Sequence, residues 1–512
     1  MKINPWLIAA SVMLATFMEV LDTSVAAVAL PYMAGSLASS ADESTWVLTS
    51  YLVSNAIMLP ATGWLATRFG RKRLLLTCIV IFTASSFACG AALSLPMLIL
   101  ARVAQGAGGG ALQPVAQAIL MESFPPERQG MAMAVYGLGV VVAPILGPTL
   151  GGYITDNYSW RWIFFINIPF GILAIMMILA FVQDPAYIRN ARPGRLDVIG
   201  LGLLSLWVGT LQIVLDKGQE ADWFGALWIR WFTAVCVVAF VAFLIRELRA
   251  SAPLVDLRIF TNRNFGAGTA LIGMMGVILY ALVALQPQFL QMLMGYDALQ
   301  AGLAVSTRGI GAVIAMAMIG RLTQWVDNRA LIAGGFVMLA FATLMFGDID
   351  LSIARSTLDT ANILSGMSIG FLFVPISVVA LGTLRPERIG GATGVFNLVR
   401  NLGGSIGISV ATALVTRGAQ AHQALLAGRL ASDQPAYRHF LAGQEALLAP
   451  GLGSATAARQ AVARAYAVLV QQATLFAYVD TFRWLALLCL LSVPLALLLR
   501  RVTRGRGPVA AH

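Results

Sequence analysis

Apolar stretches of roughly 20 residues, the length that crosses a bilayer core as a helix, recur along the chain between short polar clusters. Fourteen are read near 7–30, 46–66, 74–95, 97–121, 131–154, 163–182, 197–215, 225–245, 266–290, 302–321, 330–347, 361–383, 393–416 and 484–500. Between the last two, the stretch 417–483 interrupts the rhythm with Ala, Gln and Leu. Within it, Val462, Tyr466, Leu469, Ala473 and Phe476 fall at three- and four-residue spacing, which predicts an amphipathic helix over 455–478 with those residues on its apolar face.

Composition agrees with a polytopic, all-α membrane protein. The 512 residues are 59% hydrophobic and 11% charged, where soluble proteins carry about a quarter charged residues. The segment from Leu7 to Leu30 is too long for a signal-peptide core and no small-residue cleavage site follows it, so no cleavable leader is expected. The four cysteines fall inside apolar stretches and the three histidines lie beyond residue 420, so neither a disulfide framework nor a metal site is expected.

The net charge of +11 raises nucleic acid as a partner, and its placement removes it. With Met1 inside, the inner loops and termini hold 21 Lys and Arg residues, while the short outer loops hold Arg161, Lys217 and Arg355. That bias is the positive-inside signal and puts both termini in the cytoplasm. The stretch 417–483 is then an outer insert.

The chain repeats itself. PERQGMAMAVYGL (126–138) matches PERIGGATGVFNL (386–398) at an offset of 260, each opening an inward-starting span, the fifth and the thirteenth. A weaker echo relates GWLATRFGRKRL (63–74) to GRLTQWVDNRAL (320–331) after spans 2 and 10. Eight spans separate the copies, which predicts a six-helix bundle over 1–185, two inserted helices over 186–262, and a second bundle over 263–512 that includes the insert. Parallel repeats of this kind place a substrate site between the halves.

Several motifs resemble those of the major facilitator superfamily. GWLATRFGRKR matches its loop motif at Gly63, Arg68, Gly70, Arg71 and Lys72, with Thr67 where the family carries an acid. The resemblance implies a gating loop on the cytoplasmic side, and the missing acid leaves any interdomain salt bridge of the family pattern in doubt. APILGPTLGG, with Pro144, Gly147, Pro148, Gly151 and Gly152, resembles the fifth-helix antiporter motif of drug/proton exporters. MEVLDTSVAAVALP resembles the first-helix signature of the fourteen-helix drug/proton antiporters, and the likeness continues through WRWIFFINIPFG and LDKGQEADWF to NLVRNLGGSIG. The chain is similar throughout to this EmrB/QacA-type family and, within it, to the EmrB-like multidrug export permeases. The likeness implies a 6+2+6 major facilitator fold and efflux of lipophilic or cationic drugs driven by the proton-motive force, with no cofactor. It also implies an inner-membrane location and docking of a periplasmic adaptor and an outer-membrane channel, for which the insert is the candidate surface.

Glu19 and Asp22 stand three residues apart on one helix face, deep in the first span. Carboxylates there cost several kcal/mol and mark function by default. Asp22 lies about 12 Å below Leu30, and Arg102 about 8 Å into span 4 from the same side at 1.5 Å per residue, so the two are near enough in depth to pair. In the family, the helix-4 arginine is associated with proton transfer. Proton exchange is therefore expected at Asp22, Glu19 and Arg102, with Asp22 at the family position. Asn397, Arg400 and Arg308 are the candidates for lining the substrate cavity or locking a conformation, although Arg308, six residues inside span 10, also has the reach to snorkel. Arg400, mid-span beside Asn397 and Asn401, either faces the cavity or locks a conformation. The 20 Met and 25 Phe residues supply soft lining for a permissive cavity.

Two other readings remain. GGSIG (403–407) fits a nucleophile-elbow pattern, but Ser405 sits within a span and no span holds a histidine, so an intramembrane enzyme is disfavoured. A proton-coupled transporter of one metabolite or siderophore-like solute, importer or exporter, uses the same fold.

Overall fold

The computed structural model describes residues 4–185, 188, 197–250, 253–351, 353–430 and 434–500. Seven of the 21 inner basic residues (Lys2, Arg189, Arg192, Arg195, Arg501, Arg504 and Arg506) and the side chain of Pro148 lie outside them. The long helices are α1 (Pro5–Ser36), α2 (Trp46–Phe69), α3 (Arg71–Gly90), α4 (Leu95–Ser123), α5 (Pro126–Asn157), α6 (Trp162–Phe181) and α7 (Val198–Lys217). They continue as α8 (Leu227–Arg249), α9 (Arg263–Met292), α10 (Ala298–Trp325), α11 (Asn328–Gly347), α12 (Arg355–Leu381), α13 (Pro386–Ala427) and α14 (Ser454–Leu497). Thirteen of the described helices are long and apolar enough to cross a membrane. The other long helix, α2, is more polar because it buries Ser50, Ser54, Asn55 and Thr62 within the bundle.

Local chemistry sets the boundaries. α5 and α13 each start on Pro-Glu, with proline in the first turn, where its missing N–H costs nothing, and glutamate at the positive end of the helix dipole. Gly70 separates α2 from α3 at φ +84°, a backbone region that glycine enters freely. A capping box of Asp297 and Gln300 opens α10. α4 is interrupted at Gly110 and Ala111.

The helices pair in the same way in both halves. In the first, α1 packs on α4, α5 and α6, α2 on α4, and α3 on α4 and α6. In the second, α9 packs on α12, α13 and α14, α10 on α12, and α11 on α12 and α14. The inserted pair differs: α8 packs mainly on α7, and α7 touches α2 and α13, with Thr49 bonded to Asp216 and Ser405 to Gln212. The architecture is 6+2+6. Ser405 is thus half-buried mid-helix and spent on packing.

The halves meet along α2–α13 and α5–α10. A Cβ on Gly63 would lie 2.6 Å from Gly391 Cα, and one on Gly320 3.0 Å from Met131 Cα. Gly63 and Gly320 are repeat partners, as are Met131 and Gly391, so the two seams are equivalent. Both contacts lie toward the face that carries the ends of the chain, here the terminal face, and the molecule is closed there.

The outer stretch departs from expectation. It is not a loop leading to a separate span: α13 runs on to Ala427, a helix spans Pro435–Leu452, and α14 is one 44-residue helix from Ser454. No proline or glycine breaks 455–493, and the alanine-rich sequence favours continuous helix. The buried face is also different. Ala457, Ala461, Ala465, Leu469, Ala473 and Ala477 are buried, whereas Val462, Tyr466 and Phe476 are exposed. Alanines allow helices to approach closely, so small side chains make most of the contact, and of the predicted face only Leu469 and Ala473 share in it.

Candidate functional site

Two polar clusters lie inside the first half. In one, the Asp22 carboxylate pairs with Arg102 at 2.5 Å and accepts from Gln105 Nε2 (2.9 Å) and Asn167 Nδ2 (2.7 Å). Arg102 is fully buried. Its Nε donates to the Val47 carbonyl (3.1 Å), its Nη1 also donates to Gln105 Oε1 (2.8 Å), and its guanidinium lies 4.3 Å from the Tyr51 ring centroid. Asp22 and Arg102, close in depth by helix rise, are thus brought together with two amides that depth alone does not reveal. Gln105 lies one turn after Arg102; Asn167 comes from α6, and no local pattern connects it to α1.

The second cluster holds Glu19. Its Oε1 accepts from Asn55 Nδ2 (3.1 Å) and its Oε2 from Gln113 Nε2 (2.9 Å). The Gln113 carbonyl accepts from Arg400 Nη2, a contact across the seam between halves. One turn further, Gln117 Oε1 accepts from Asn397 Nδ2 at 2.7 Å. Arg400 also lies 5.9 Å from the Phe373 ring centroid. Asn397 and Arg400 therefore face the first half at the closed seam.

The glycines of the stretch GAGGGA (106–111) in α4 make room for this site. A Cβ on Gly110 would lie 2.5 Å from the Asn55 carbonyl oxygen, and one on Gly109 2.7 Å from the Tyr51 hydroxyl. They bring α4 against α2 and set Asn55 beside Glu19.

Arg308 turns inward and does not snorkel: it is 4% exposed and donates to Gln286 and Asn362 (3.4 Å for the latter). Its Nε and Nη1 find no acceptor among the described residues. A cavity of about 380 Å³ lies elsewhere, between α9, α13 and α14, lined by Leu285, Gln288, Thr412, Gln420 and Tyr478 among others.

The motif residues pack and cap. Arg71 pairs with Glu122 (2.6 Å), at the end of α4 in its own half. Lys72 donates from its backbone N–H to Asp184 (2.9 Å) and from Nζ to the Leu179 carbonyl (2.7 Å). Arg68 is exposed at the end of α2, and Thr67 donates to the Gly63 carbonyl (2.9 Å). In α5, Pro144 accepts from Ser24 Oγ (3.1 Å) through its carbonyl. A Cβ on Gly147 would overlap Ser24, and one on Gly151 would meet Val25 at 3.0 Å, while Gly152 faces open space. The motif therefore seats α5 on α1 within one turn of Asp22.

Two pseudo-equivalent bundles, with buried carboxylates in one and an arginine bridge to the other, define a secondary transporter of the membrane. The Major Facilitator Superfamily model matches residues 12–408. Multidrug export protein EmrB of Escherichia coli K12 is 41% identical over 81% of this chain and 80% of its own length. EmrB of Haemophilus influenzae is 40% identical over 78% of both. The human organic anion transporter MFSD10 superimposes with a TM-score of 0.61 at 13% identity, over 95% of this chain and 99% of its own. The chain belongs to the Major Facilitator Superfamily and, within it, to the fourteen-helix drug/proton antiporters.

Proposed function

We propose that the protein is a proton-driven multidrug efflux antiporter of the bacterial inner (cytoplasmic) membrane, exporting lipophilic or cationic compounds by alternating access. Its working parts are the bundles 1–185 and 263–512 and the inserted pair 186–262. The observation that carries the reading is the juxtaposition of Asp22 with Arg102 and of Glu19, through Gln113, with Arg400. A buried acid that exchanges a proton changes the charge of the space between the halves, and with it what that space will hold. Relatives named for multidrug export support the substrate class.

The positive-inside bias supports placing the terminal face in the cytoplasm. The closed seam then makes this the outward-facing arrangement. A proton arriving from outside neutralises an acid and drives release of the drug; its departure to the cytoplasm restores the charge for the next molecule. Asp22 occupies the family position for the carrier. Gly63, Arg68, Gly70, Arg71 and Lys72 control the cytoplasmic side, and Pro144, Gly147 and Gly151 of the antiporter motif hold α5 on α1. The proton-motive force is the energy source; no cofactor, metal, enzymatic step or nucleic acid takes part. The outer helices dock a periplasmic adaptor and an outer-membrane channel.

The test is dye efflux from vesicles under an imposed pH gradient, wild type beside Asp22→Asn. Gradient-dependent efflux that vanishes in the variant is expected. Efflux indifferent to the gradient removes proton coupling, and gradient-driven uptake makes the protein an importer.

A further inference from the structure

We propose that Gln113 is a positioning residue that passes the charge state of Glu19 to the contact holding the two halves closed. The inference rests on the proton-coupled reading above. Its basis is a chain of three side chains from two bundles: Glu19 on α1, Gln113 on α4 and Arg400 on α13. A carboxylate only accepts hydrogen bonds and a guanidinium only donates, so the amide between them has one allowed orientation. Its NH2 faces Glu19 and its carbonyl faces Arg400. Anion, aligned amide and cation polarise one another, so each bond is stronger than it would be alone.

Adding a proton to Glu19 Oε2 removes the anion at one end and creates an O–H donor. That donor competes for the Gln113 carbonyl, the acceptor Arg400 uses. The contact between the halves weakens, and the terminal face is freed to open. Loss of the proton restores the carboxylate, the amide orientation and the closed seam. The direction suits an antiporter, since a proton taken up from outside turns the closed inner face toward opening.

The neighbouring pair shows what is particular to Gln113. Gln117 makes a similar contact to Asn397 across the same seam, yet its Nε2 has no acceptor among the described residues. It holds the halves together without reaching an acid. Other titratable or charged groups near the chain are Asp22 on α1, Tyr51 on α2, Arg102 on α4, Tyr136 on α5 and Tyr280 on α9. Asp22 and Arg102 engage each other, and no residue of α6 (162–181) carries a charge.

Spin labels at Arg128→Cys and Trp325→Cys, both exposed at the terminal face on opposite sides of the α5–α10 seam, report closure in the full chain reconstituted in vesicles. The native cysteines are all buried and contribute little labelling. In the parent, acidification should lengthen the distance. Gln113→Met, close in volume but with no donor and only a weak thioether acceptor, should lose most of that pH response. Gln117→Met should lengthen the distance at every pH and keep the response. Glu19→Gln should hold the parent's low-pH distance throughout, which preserves a test if Gln113→Met fails to fold. A parental pH response in Gln113→Met, or in Glu19→Gln, overturns the inference. If gradient-driven efflux persists alongside that result, the transport reading survives; if efflux ignores the gradient, that reading has failed instead.

Discussion

The two halves share a scaffold and differ in charge. The offset of 260 carries Arg102 to Asn362 and Gln113 to Phe373. In the first half, an arginine on α4 meets an aspartate on α1. In the second, the arginine comes from α10 and meets neutral amides, Gln286 of α9 and Asn362 of α12. Arg102 is matched by a full opposite charge; Arg308 keeps two nitrogens without acceptors among the described residues. Duplication supplied the helix contacts, and divergence left the acids in one copy. That division suits proton exchange in the first bundle and a fixed positive charge in the second.

The sharpest way to break this contrast is to remove one member of the matched pair. Asp22→Asn leaves Arg102 buried and uncompensated, a change that costs about 3–5 kcal/mol in buried pairs. The melting temperature of the detergent-solubilised protein should fall clearly, and Asp22→Asn with Arg102→Met should recover part of it. An undiminished melting temperature in the single variant would mean that water or another group compensates Arg102.

Next comes the seam. Gly63→Leu puts a side chain where Gly391 backbone stands, with nothing flexible to yield. Label distances across α2–α13 should lengthen and efflux should be lost, although the acids are untouched. Short distances would show the seam to be softer than its packing.

Arg308→Met should behave opposite to Arg102→Met. It removes a buried charge that has no ion-pair partner among the described residues, so the melting temperature should hold or rise. A fall as large as that of Arg102→Met would reveal a counter-charge and erase the contrast between halves.

The smallest effect lies in the inserted pair, outside both bundles. Asp197 caps α7, accepting from the Gly200 N–H at 2.9 Å and from Arg246 at 3.0 Å. The bonds from Arg246 hold its carboxyl below the usual carboxylate range. A depressed folded value stabilises above the ordinary value near 4 and is lost as pH falls through the lower one. Asp197→Asn should flatten a small loss of thermal stability below about pH 4; an unchanged acid limb would deny the cap that role.

The recurring apolar stretches determined the spans, and the two PER loops the duplication. Those signals are local, because a span must satisfy its own backbone in lipid and reads as a continuous run. The depth of Asp22 and Arg102 was legible for the same reason, since helix rise converts sequence position into height. Height says nothing of azimuth. Only the packed bundle decided that Asn167 of α6 faces Asp22, that Arg308 turns inward to Gln286, and that Gln113 lies between Glu19 and Arg400. The outer helices show the limit from the other side. Large apolar side chains in 455–478 pointed to one face, while alanines packed a neighbouring stripe that shares only Leu469 and Ala473 with it. Close approach depends on how little a side chain occupies, which hydrophobic spacing does not measure.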